Sequence, residues 1–398
     1  MSSPLRILHV ISSISRVRGG PSVAVRNIAK ALYKRGIQVD IATTDDDGED
    51  NRLDVPLDRF VPLEGQRVRY FPRQIRRYCA SFPMQTWLRR NVRGYHLVHA
   101  HGLFSFAPIV AAWNARAAGV PYIMRPAGVL DTWGMINKSR FVKKTSLRWV
   151  DAPLLAAAAA VHFMTDLEHS RAADLRLPMR PVVLPLGFDF AESREPAHAL
   201  EGLTLEGKRV ILYVARIHEI KCVDVLLRAF AALPQSTVLL IAGDGERSLV
   251  SELQTLAVEL GLGERVRWLG FAGGPLKRWL FSQATVFALP SASENFGIAV
   301  VEAMNAALPV VVTRGCGLAT MVDQGQAGLI TDGSVEGLRA ALQRILEDET
   351  LCRSMGAAGR RIVDRELSLE AFGARLEDLY RSVLSGTPVG ATAPSGAS

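Results

Sequence analysis

The segment Ser291–Val312 reads SASENFGIAVVEAMNAALPVVV and links one predicted strand to the next. The apolar run Thr285–Leu289 precedes it, and its polar loop carries Glu294. The apolar segment Gly297–Ala307, which has the length of a helix, contains Glu302, and a run of valines follows. This order of strand, loop, helix and strand is typical of the β-α-β unit, whose strands are parallel. The segment therefore predicts an α/β fold with Glu294 in the loop after a strand.

The same alternation of short apolar runs and helical segments occurs twice along the chain. It predicts two Rossmann-like lobes, each built around a parallel sheet. The strands predicted in the first half are Leu5–Ile11, Gln38–Thr43, Leu97–Ala100, Tyr122–Met124, Ala160–Met164 and Val182–Pro185. Those of the second half are Val210–Val214, Thr237–Ala242, Val266–Leu269, Thr285–Leu289, Pro309–Val312 and Gly328–Ile330. The predicted helices include Ser22–Lys34, Phe141–Val150, Val223–Leu233, Arg247–Leu260, Gly297–Ala307 and Val335–Leu346.

Composition divides the chain into five parts. Residues 1–190 form the predicted first lobe, 191–207 a linker, and 208–367 the second lobe. Helical periodicity continues over 368–384, where we expect a C-terminal helix that packs back on the first lobe. Residues 385–398 contain only Ser, Gly, Thr, Pro, Val and Ala, which predicts a disordered tail.

Composition also excludes several classes of protein. A chain of 398 residues with 48% hydrophobic and 22% charged residues is not disordered as a whole. No apolar run reaches the ~18 residues of a membrane span, and residues 1–6 lack the pattern of a signal peptide. The four cysteines show no C-x-x-C spacing, which favours reduced thiols over a disulfide or zinc framework. We expect a cytoplasmic protein.

The net charge of +8 is uneven, with +12 in residues 1–190 and −4 in residues 191–398. The stretch Gln66–Gly94 contains eight arginines and no acid, interleaved with aromatic residues. Such a stretch suits an anionic membrane, a phosphate-bearing substrate or nucleic acid, and a solvated basic surface is the alternative.

Two motifs at predicted strand ends of the first half are candidate ligand contacts. The pair Gly19-Gly20 opens the first helix, where backbone N–H groups suit a phosphate, although a tight turn explains the pair equally well. His99 and His101 end a buried strand on one side of the sheet. The sequence shows no further metal ligands near them. His101 lies at the edge where open α/β sheets bind ligands.

In the second half, Arg216 and Lys221 follow the first strand and could grip a diphosphate, although exposed loop cations are common. A glutamate within an apolar helix needs a partner, and for Glu302 this is either a ribose diol or a salt bridge. The acidic run Asp45-Asp46-Asp47 contains the D-x-D pattern of some metal sites, but we interpret it as a solvated loop.

Together these residues resemble the retaining glycosyltransferases of family four, and the resemblance covers nearly the whole chain. The implied fold is GT-B, in which two Rossmann-like lobes face each other across a cleft. The resemblance is carried, in order, by Gly19-Gly20, His-Ala-His-Gly at 99–102, Arg216 with Lys221, Ala-Gly-Asp-Gly-Glu at 242–246, and Glu294 with Glu302. The sequence RPAGVLDTW at 125–133 is similar to the subset that builds bacterial lipopolysaccharide and exopolysaccharide.

The resemblance implies a role for each matching residue. Glu302 would hold the donor ribose, and Glu294 the sugar hydroxyls or the developing positive charge. Arg216 and Lys221 would neutralise the leaving diphosphate, and His101 would face the sugar. Further donor contacts would come from Gly19, Gly20, Gly270, Phe271, Asn295, Phe296 and Gly297. On the acceptor side the resemblance implies Arg125 and Asp131.

The implied reaction transfers a hexose from a UDP- or GDP-sugar to a saccharide acceptor with retention of configuration. The resemblance implies front-face substitution, no cofactor and no metal. The acceptor would be linked to a lipid, so we expect attachment to the inner face of the cytoplasmic membrane. We expect no nucleic-acid partner.

Three positions depart from the family pattern, because Ala215, Cys222 and Ala307 stand where the family has glycine. A sugar-nucleotide epimerase of the same architecture is the alternative function, and a nucleic-acid-binding protein is a more distant one. An NAD dehydrogenase is disfavoured because no G-x-G-x-x-G follows the first strand of either lobe.

Overall fold

Two parallel sheets organise the protein, and each belongs to its own unit. This computed structural model describes residues 4–48, 50–130, 145–190 and 205–387. The first unit comprises Met1–Asp189 together with Glu366–Ser398, and the second Phe190–Arg365. Most of the predicted linker at 191–207 and of the predicted tail at 385–398 lies outside the described residues.

The first unit contains an eight-stranded sheet. Its strands are β1 Arg6–Ile11, β2 Gln38–Thr44, β3 Phe60–Leu63, β4 Gln66–Phe71, β5 Leu97–His101, β6 Tyr122–Arg125, β7 Ala160–Phe163 and β8 Pro181–Val183. The order is β3-β4-β2-β1-β5-β6-β7-β8, and every neighbouring pair except β3–β4 is parallel. The helices are α1 Gly20–Lys34, α2 Phe82–Asn91, α3 Phe106–Ala118, α4 Ala152–Ala157, α5 Asp166–Ala173 and, from the end of the chain, α13 Leu369–Ser385.

The second unit contains a six-stranded parallel sheet of order β11-β10-β9-β12-β13-β14. Its strands are β9 Arg209–Val214, β10 Thr237–Ala242, β11 Val266–Gly270, β12 Val286–Leu289, β13 Val310–Thr313 and β14 Gly328–Thr331. The helices are α6 Val223–Ala231, α7 Arg247–Glu259, α8 Gly274–Gln283, α9 Ile298–Asn305, α10 Ala319–Gln324, α11 Val335–Glu347 and α12 Glu349–Ile362. The α/β prediction with two Rossmann-like sheets is confirmed.

Burial explains why the central strands are recognisable from sequence. Every residue of β5, β10, β12 and β13 is buried, because helices cover both faces of a parallel sheet and both must be apolar. Sequence reasoning missed β3 and β4 because β4 alternates: Arg67 is exposed and Val68 buried. The predicted helix Phe141–Val150 is described only from residue 145, and Leu147–Asp151 forms a π-helix.

Two of the three departures from the family pattern occupy left-handed backbone. Cys222 has φ 51° and Ala307 has φ 55°. A β-carbon in this conformation crowds the following carbonyl and costs about 1–2 kcal/mol, whereas glycine adopts it freely. Ala215 is not among the residues with positive φ. The structure therefore gives a physical reason for glycine at two of the three positions.

Replacing Ala307 by glycine should stabilise the protein by roughly 1 kcal/mol, because the strain outweighs the added freedom of the unfolded chain. The free energy of unfolding from urea titration measures the effect. Ala306→Gly is the control: Ala306 has φ −78°, so glycine should destabilise there. Equal effects of the two substitutions would contradict this explanation.

Candidate functional site

The candidate site of the second unit lies where its strand order reverses. Strand β9 has β10 and then β11 on one side, and β12, β13 and β14 on the other. Loops that leave neighbouring strands at such a point diverge and open a crevice at the carboxyl ends of the strands. Here a backbone hydrogen bond of 2.9 Å from Ala292 N to Ile220 O joins the loop after β12 to the loop after β9.

These two loops bring into contact two residues for which the family resemblance implies separate roles, Lys221 at the diphosphate and Glu294 at the sugar. Lys221 Nζ forms an ion pair with the carboxylate of Glu294, and both side chains are partly buried. The backbone of Glu294 is fixed on both sides, since its N–H donates to Gly315 O at 3.0 Å and its carbonyl accepts from Gly317 N at 2.7 Å. The pair is therefore held at the strand edge by main-chain contacts.

Glu302 is only half satisfied. Its Oε1 lies 2.6 Å from Lys277 Nζ, while Oε2 is buried and has no hydrogen-bond partner. Burial raises the pKa of Glu302, and the charge and hydrogen bond of Lys277 act against this. Both predicted partners of Glu302, a salt bridge and a ligand diol, are therefore compatible with this geometry. Lys277 binds one carboxylate oxygen, and the other oxygen can accept a hydrogen bond from a hydroxyl.

Arg216 lies apart from the Lys221–Glu294 pair. It lines a cavity of ~590 Å³ together with His218, Asp244 and Gly245. A second cavity, of ~550 Å³, has Trp268 and Gly270 in its wall. Among the described residues no hydrogen bond or ion pair joins Arg216 to Lys221 or Glu294.

The other predicted donor contacts of the second unit lie at the ends of β11 and β12. Phe271 is 75% exposed just after Gly270, which has φ 62°. Phe296 is buried, and Gly297, with φ 93°, precedes α9. Asn295 is half-buried between Glu294 and Phe296. The first backbone N–H groups of α9 therefore begin directly after the Glu294 loop.

In the first unit, α1 begins at Gly20, and Gly19 with φ 68° is the turn that starts it. The acidic run Asp45–Asp50 is predicted to be a solvated loop. This is wrong for Asp45 and Asp46, which are buried, whereas Asp50 is exposed. Asp46 is fully buried, accepts two hydrogen bonds from Arg18 at 2.6 and 2.7 Å, and lies 2.5 Å from Arg73 Nη1. Asp46 thus holds the loop that leads to Gly19 in place through its ion pair with Arg18.

The basic stretch Gln66–Gly94 contains both arginines that are paired with acids and arginines that are exposed. Three of its arginines are bound to acids: Arg67 to Asp40 at 2.7 Å, Arg73 to Asp46 at 2.5 Å and Arg76 to Asp50 at 2.9 Å. Arg69 lies over the ring of Trp87 at 5.8 Å. Exposed arginines at the end of α2 and just after it are Arg89, Arg90 and Arg93.

His101 is 2% exposed and belongs to a buried cluster that sequence reasoning did not find. Its Nε2 lies 2.8 Å from Nδ1 of His9 in β1, while His99 and Tyr380 complete the cluster. Nitrogens of His9, His99 and His101 lie within 4.8 Å of one another, a distance at which three imidazoles can hold a metal ion. The only sequence signal for His9 is that a histidine interrupts an apolar strand.

Of the two residues implied for the acceptor side, the structure describes only Arg125. Arg125 at the end of β6 is fully buried, and burial lowers the pKa of its guanidinium to about 10, so it stays charged at neutral pH. Asp131 lies outside the described residues. Lys277 was missed altogether, because a lysine 25 residues before Glu302 in an ordinary amphipathic helix gives no signal in the sequence.

Comparison with known families and proteins gives a consistent result. Residues 200–362 match the family described as glycosyl transferases group 1, and residues 19–187 match a glycosyl transferase 4-like domain. A D-inositol 3-phosphate glycosyltransferase of Corynebacterium urealyticum is 27% identical over 418 residues, which cover 92% of this chain and 91% of that protein.

Solved structures show the same fold. Anabaena Alr3699/HepE in complex with UDP and glucose is similar with a TM-score of 0.73 and 20% identity, over 95% of this chain and 100% of that one. WaaG, a glycosyltransferase involved in lipopolysaccharide biosynthesis, is similar with a TM-score of 0.63 and 18% identity, over 94% and 99%. At these identities the likeness shows the fold alone.

We expect Asp46→Asn to destabilise the protein by about 3–5 kcal/mol at pH 7, since the guanidinium groups of Arg18 and Arg73 would lose the buried carboxylate that both contact. Burial alone would raise the pKa of Asp46, but hydrogen bonds and charges of Arg18 and Arg73 outweigh it and lower the pKa. A carboxyl group whose pKa is lower in the folded than in the unfolded protein stabilises the fold when the pH is above its unfolded pKa of ~3.9. This stabilisation is lost as the pH falls through the pKa of the folded state.

Urea unfolding at neutral and acidic pH measures the effect. The difference in the free energy of unfolding between wild type and Asp46→Asn should become smaller below about pH 4. Asp50→Asn is the control, because Asp50 is 81% exposed and its pair with Arg76 should contribute under ~1 kcal/mol. A difference that is independent of pH would show that the charge of Asp46 is not what stabilises the loop.

Proposed function

This chain belongs to the group 1 glycosyltransferases, and from that membership we propose that it transfers a hexose from a UDP- or GDP-sugar to a saccharide acceptor with retention of anomeric configuration. The observation that carries this proposal is the buried, unpartnered Oε2 of Glu302, eight residues after the Glu294–Lys221 pair. An acceptor atom that is buried without a donor costs free energy unless a ligand supplies one. A ribose hydroxyl is such a donor.

Other charged residues of the second unit suit the rest of a nucleotide sugar. Lys221 and Arg216 supply positive charge for the diphosphate, and the backbone N–H groups at the start of α9 add donors. Glu294 is negative and stabilises the positive charge that develops at the sugar carbon. Alr3699/HepE, which has the same fold, was solved with UDP and glucose, which supports a donor of this class.

In the proposed reaction the bond from the anomeric carbon to the diphosphate oxygen breaks, and the acceptor oxygen forms its bond on the same face. The proton of the acceptor hydroxyl passes to the departing phosphate oxygen. Lys221 and Arg216 stabilise the negative charge on the leaving group, so the step is proposed to need no metal. From the family resemblance, His101 is proposed as a further contact of the transferred sugar.

The acceptor is proposed to be a lipid-linked saccharide of cell-surface polysaccharide or lipopolysaccharide synthesis, reached at the inner face of the cytoplasmic membrane. Across the described residues, no helix is long and apolar enough to cross a bilayer. Phe82 and Trp113 are 56% and 64% exposed on α2 and α3, and Arg89, Arg90 and Arg93 are exposed nearby in the chain. Arginine with exposed aromatic residues suits attachment to an anionic lipid surface.

The name of the Corynebacterium relative points to a different acceptor, a small phosphorylated polyol. Parallel assays with inositol phosphate and with a polyprenyl-diphosphate saccharide decide between the two acceptor classes. Incubation with the nucleotide sugar alone tests the epimerase alternative, since an epimerase forms an isomeric sugar without any acceptor.

Glu302→Gln should raise the dissociation constant of the nucleoside diphosphate by about ten- to hundredfold, because hydrogen bonds to a charged group contribute ~1.5–3 kcal/mol. Glu294→Gln should leave that constant nearly unchanged and lower turnover instead, because its proposed partner is the sugar. Calorimetric titration with UDP and with GDP measures binding. Unchanged affinity in a folded Glu302→Gln protein would remove the ribose assignment.

Replacing Arg89, Arg90 and Arg93 together by glutamine should abolish sedimentation with anionic liposomes at low salt, since each cation near such a surface contributes ~1 kcal/mol. The matched control replaces three exposed arginines of the second unit, Arg339, Arg353 and Arg361, by glutamine and should sediment like wild type. Negligible sedimentation of the wild type with both anionic and neutral vesicles would contradict membrane attachment and leave the transferase proposal intact.

A further inference from the structure

A buried chain of hydrogen bonds connects His101 at the end of β5 with Tyr380 in α13. His101 Nε2 lies 2.8 Å from His9 Nδ1, and His9 Nε2 lies 3.2 Å from the Tyr380 hydroxyl. The same hydroxyl lies 2.8 Å from His99 Nδ1. All four side chains are at most 2% exposed. Because a neutral imidazole carries a single proton, such a chain must have a direction.

Only two directions exist, since the one proton of the Tyr380 hydroxyl goes either to His99 or to His9. If Tyr380 donates to His99, it accepts from His9 Nε2, and His9 Nδ1 accepts from His101 Nε2. The Nδ1 of His101 is then a bare lone pair. If Tyr380 donates to His9, every bond reverses and Nδ1 of His101 carries the proton.

A fourth histidine lies near one end of this chain. His162 Nε2 lies 2.8 Å from the carbonyl oxygen of Leu184, and a carbonyl only accepts, so Nε2 carries the proton and Nδ1 is a lone pair. The rings of His99 and His162 are 5.5 Å apart, and both His99 Nε2 and His162 Nδ1 are buried without a protein partner. The two nitrogens are not hydrogen-bonded to each other, but a neighbouring ring with a lone pair on Nδ1 favours a proton over a second lone pair on His99 Nε2.

Arg125 lies near the other end of this chain. It is paired with His101 in the register of β5 and β6, so the two side chains leave the same face of the sheet. Arg125 Nε, Arg125 Nη1 and His101 Nδ1 are buried, and none of them has a hydrogen-bond partner among the described residues. The positive charge of Arg125 favours a lone pair over a proton on His101 Nδ1. Without a hydrogen bond it does not fix the tautomer, which depends on the rest of the chain.

Both ends favour the same direction. We propose that Tyr380 is a positioning residue for His101: by donating to His99 and accepting from His9, it fixes His101 as the tautomer with the proton on Nε2 and a lone pair on Nδ1. The reverse direction would leave a lone pair on His99 Nε2 beside the His162 ring, and would put a proton on His101 Nδ1 near the positive charge of Arg125.

The consequence concerns substrate contact and rests on the proposed function, in which His101 faces the transferred sugar. Nδ1 is buried in this structure. With a lone pair it could accept a hydrogen bond from a sugar hydroxyl that reaches it, whereas an N–H there could not. Burial, followed by the charges of His99 and Arg125, holds the pKa of His101 well below its usual range, so the ring is neutral at physiological pH. Tyr380 thus links the last helix to the chemistry of the strand edge.

The distances favour a proton over a metal ion between these rings. Nitrogens bound tetrahedrally at the ~2.0–2.1 Å typical of zinc lie well over 3 Å apart, whereas His9 Nδ1 and His101 Nε2 are 2.8 Å apart. A dication would also lie near the buried charge of Arg125, and no carboxylate among the described residues contacts these imidazoles.

The test is the tautomer of His101, read from long-range ¹H–¹⁵N spectra of protein with ¹⁵N-labelled histidine, with His101 assigned by His101→Gln. The wild type should show a protonated Nε2 and a bare Nδ1. Tyr380→Phe removes the hydroxyl, so both tautomers of His101 should be populated. A wild-type His101 with its proton on Nδ1 would overturn the proposal without any variant, as would an unchanged tautomer in folded Tyr380→Phe.

Kinetics supply a second readout. Tyr380→Phe should lower kcat by about three- to tenfold, the value of one hydrogen bond, while the dissociation constant of the nucleoside diphosphate stays the same. The matched control is Tyr122→Phe, which removes another buried hydroxyl of the first unit, one that donates to Leu154 O at 2.7 Å. It should change neither the tautomer of His101 nor kcat.

The contact of His101 with the sugar and the positioning role of Tyr380 are tested separately. If His101→Gln keeps full turnover, the proposed contact between His101 and the sugar is wrong, and the spectra still decide the direction of the chain. If His101→Gln loses activity but Tyr380→Phe matches Tyr122→Phe in spectra and kcat, the positioning role of Tyr380 is wrong and the proposed function stands.

Discussion

The hydrogen bond from Ala292 N to Ile220 O joins the loops after β12 and β9, and the chemistry of the second unit depends on that junction. Parallel strands carry all their carboxyl ends to one edge of a sheet, and a reversal of strand order makes neighbouring loops diverge there. Without a cross-link, Lys221 and Glu294 would belong to two independent loops. With it, the cation and the carboxylate lie in contact at a fixed place.

Buried charge follows a pattern across the molecule. Where it has only a structural role it is fully matched, as for Asp46 between Arg18 and Arg73. Glu302 and Arg125 are matched only in part, since each keeps buried polar atoms without a protein partner. Real proteins break local rules of polar satisfaction mainly at functional sites. Incomplete pairing alone does not identify a site, since among the described residues Arg6, Arg26 and Arg375 also have a buried nitrogen without a partner. At Glu302 and Arg125 it coincides with residues that the sequence motifs had singled out.

Sequence could predict the fold because apolar runs in parallel sheets are covered on both faces, which makes strands such as β5 and β12 recognisable one by one. It also singled out Glu294 and Lys221, but it did not predict the ion pair between them. Lys277, His9 and Tyr380 were not predictable, because their partners lie far away in sequence and contact arises only when elements pack. Asp46 was misjudged for the same reason, since its buried partner Arg73 comes from a different loop.

The central claim is that Oε2 of Glu302 accepts a hydrogen bond from a ribose hydroxyl of the donor. Removing that hydroxyl from the ligand tests the claim most directly. Calorimetric titration compares UDP and GDP, each against its 2′-deoxy and 3′-deoxy counterparts, with the unaltered protein. For the nucleotide that binds, the account predicts that at least one deoxy form binds about tenfold or more weakly, as expected for the loss of a hydrogen bond to a carboxylate. Equal affinity of the ribose and both deoxyribose forms would contradict it.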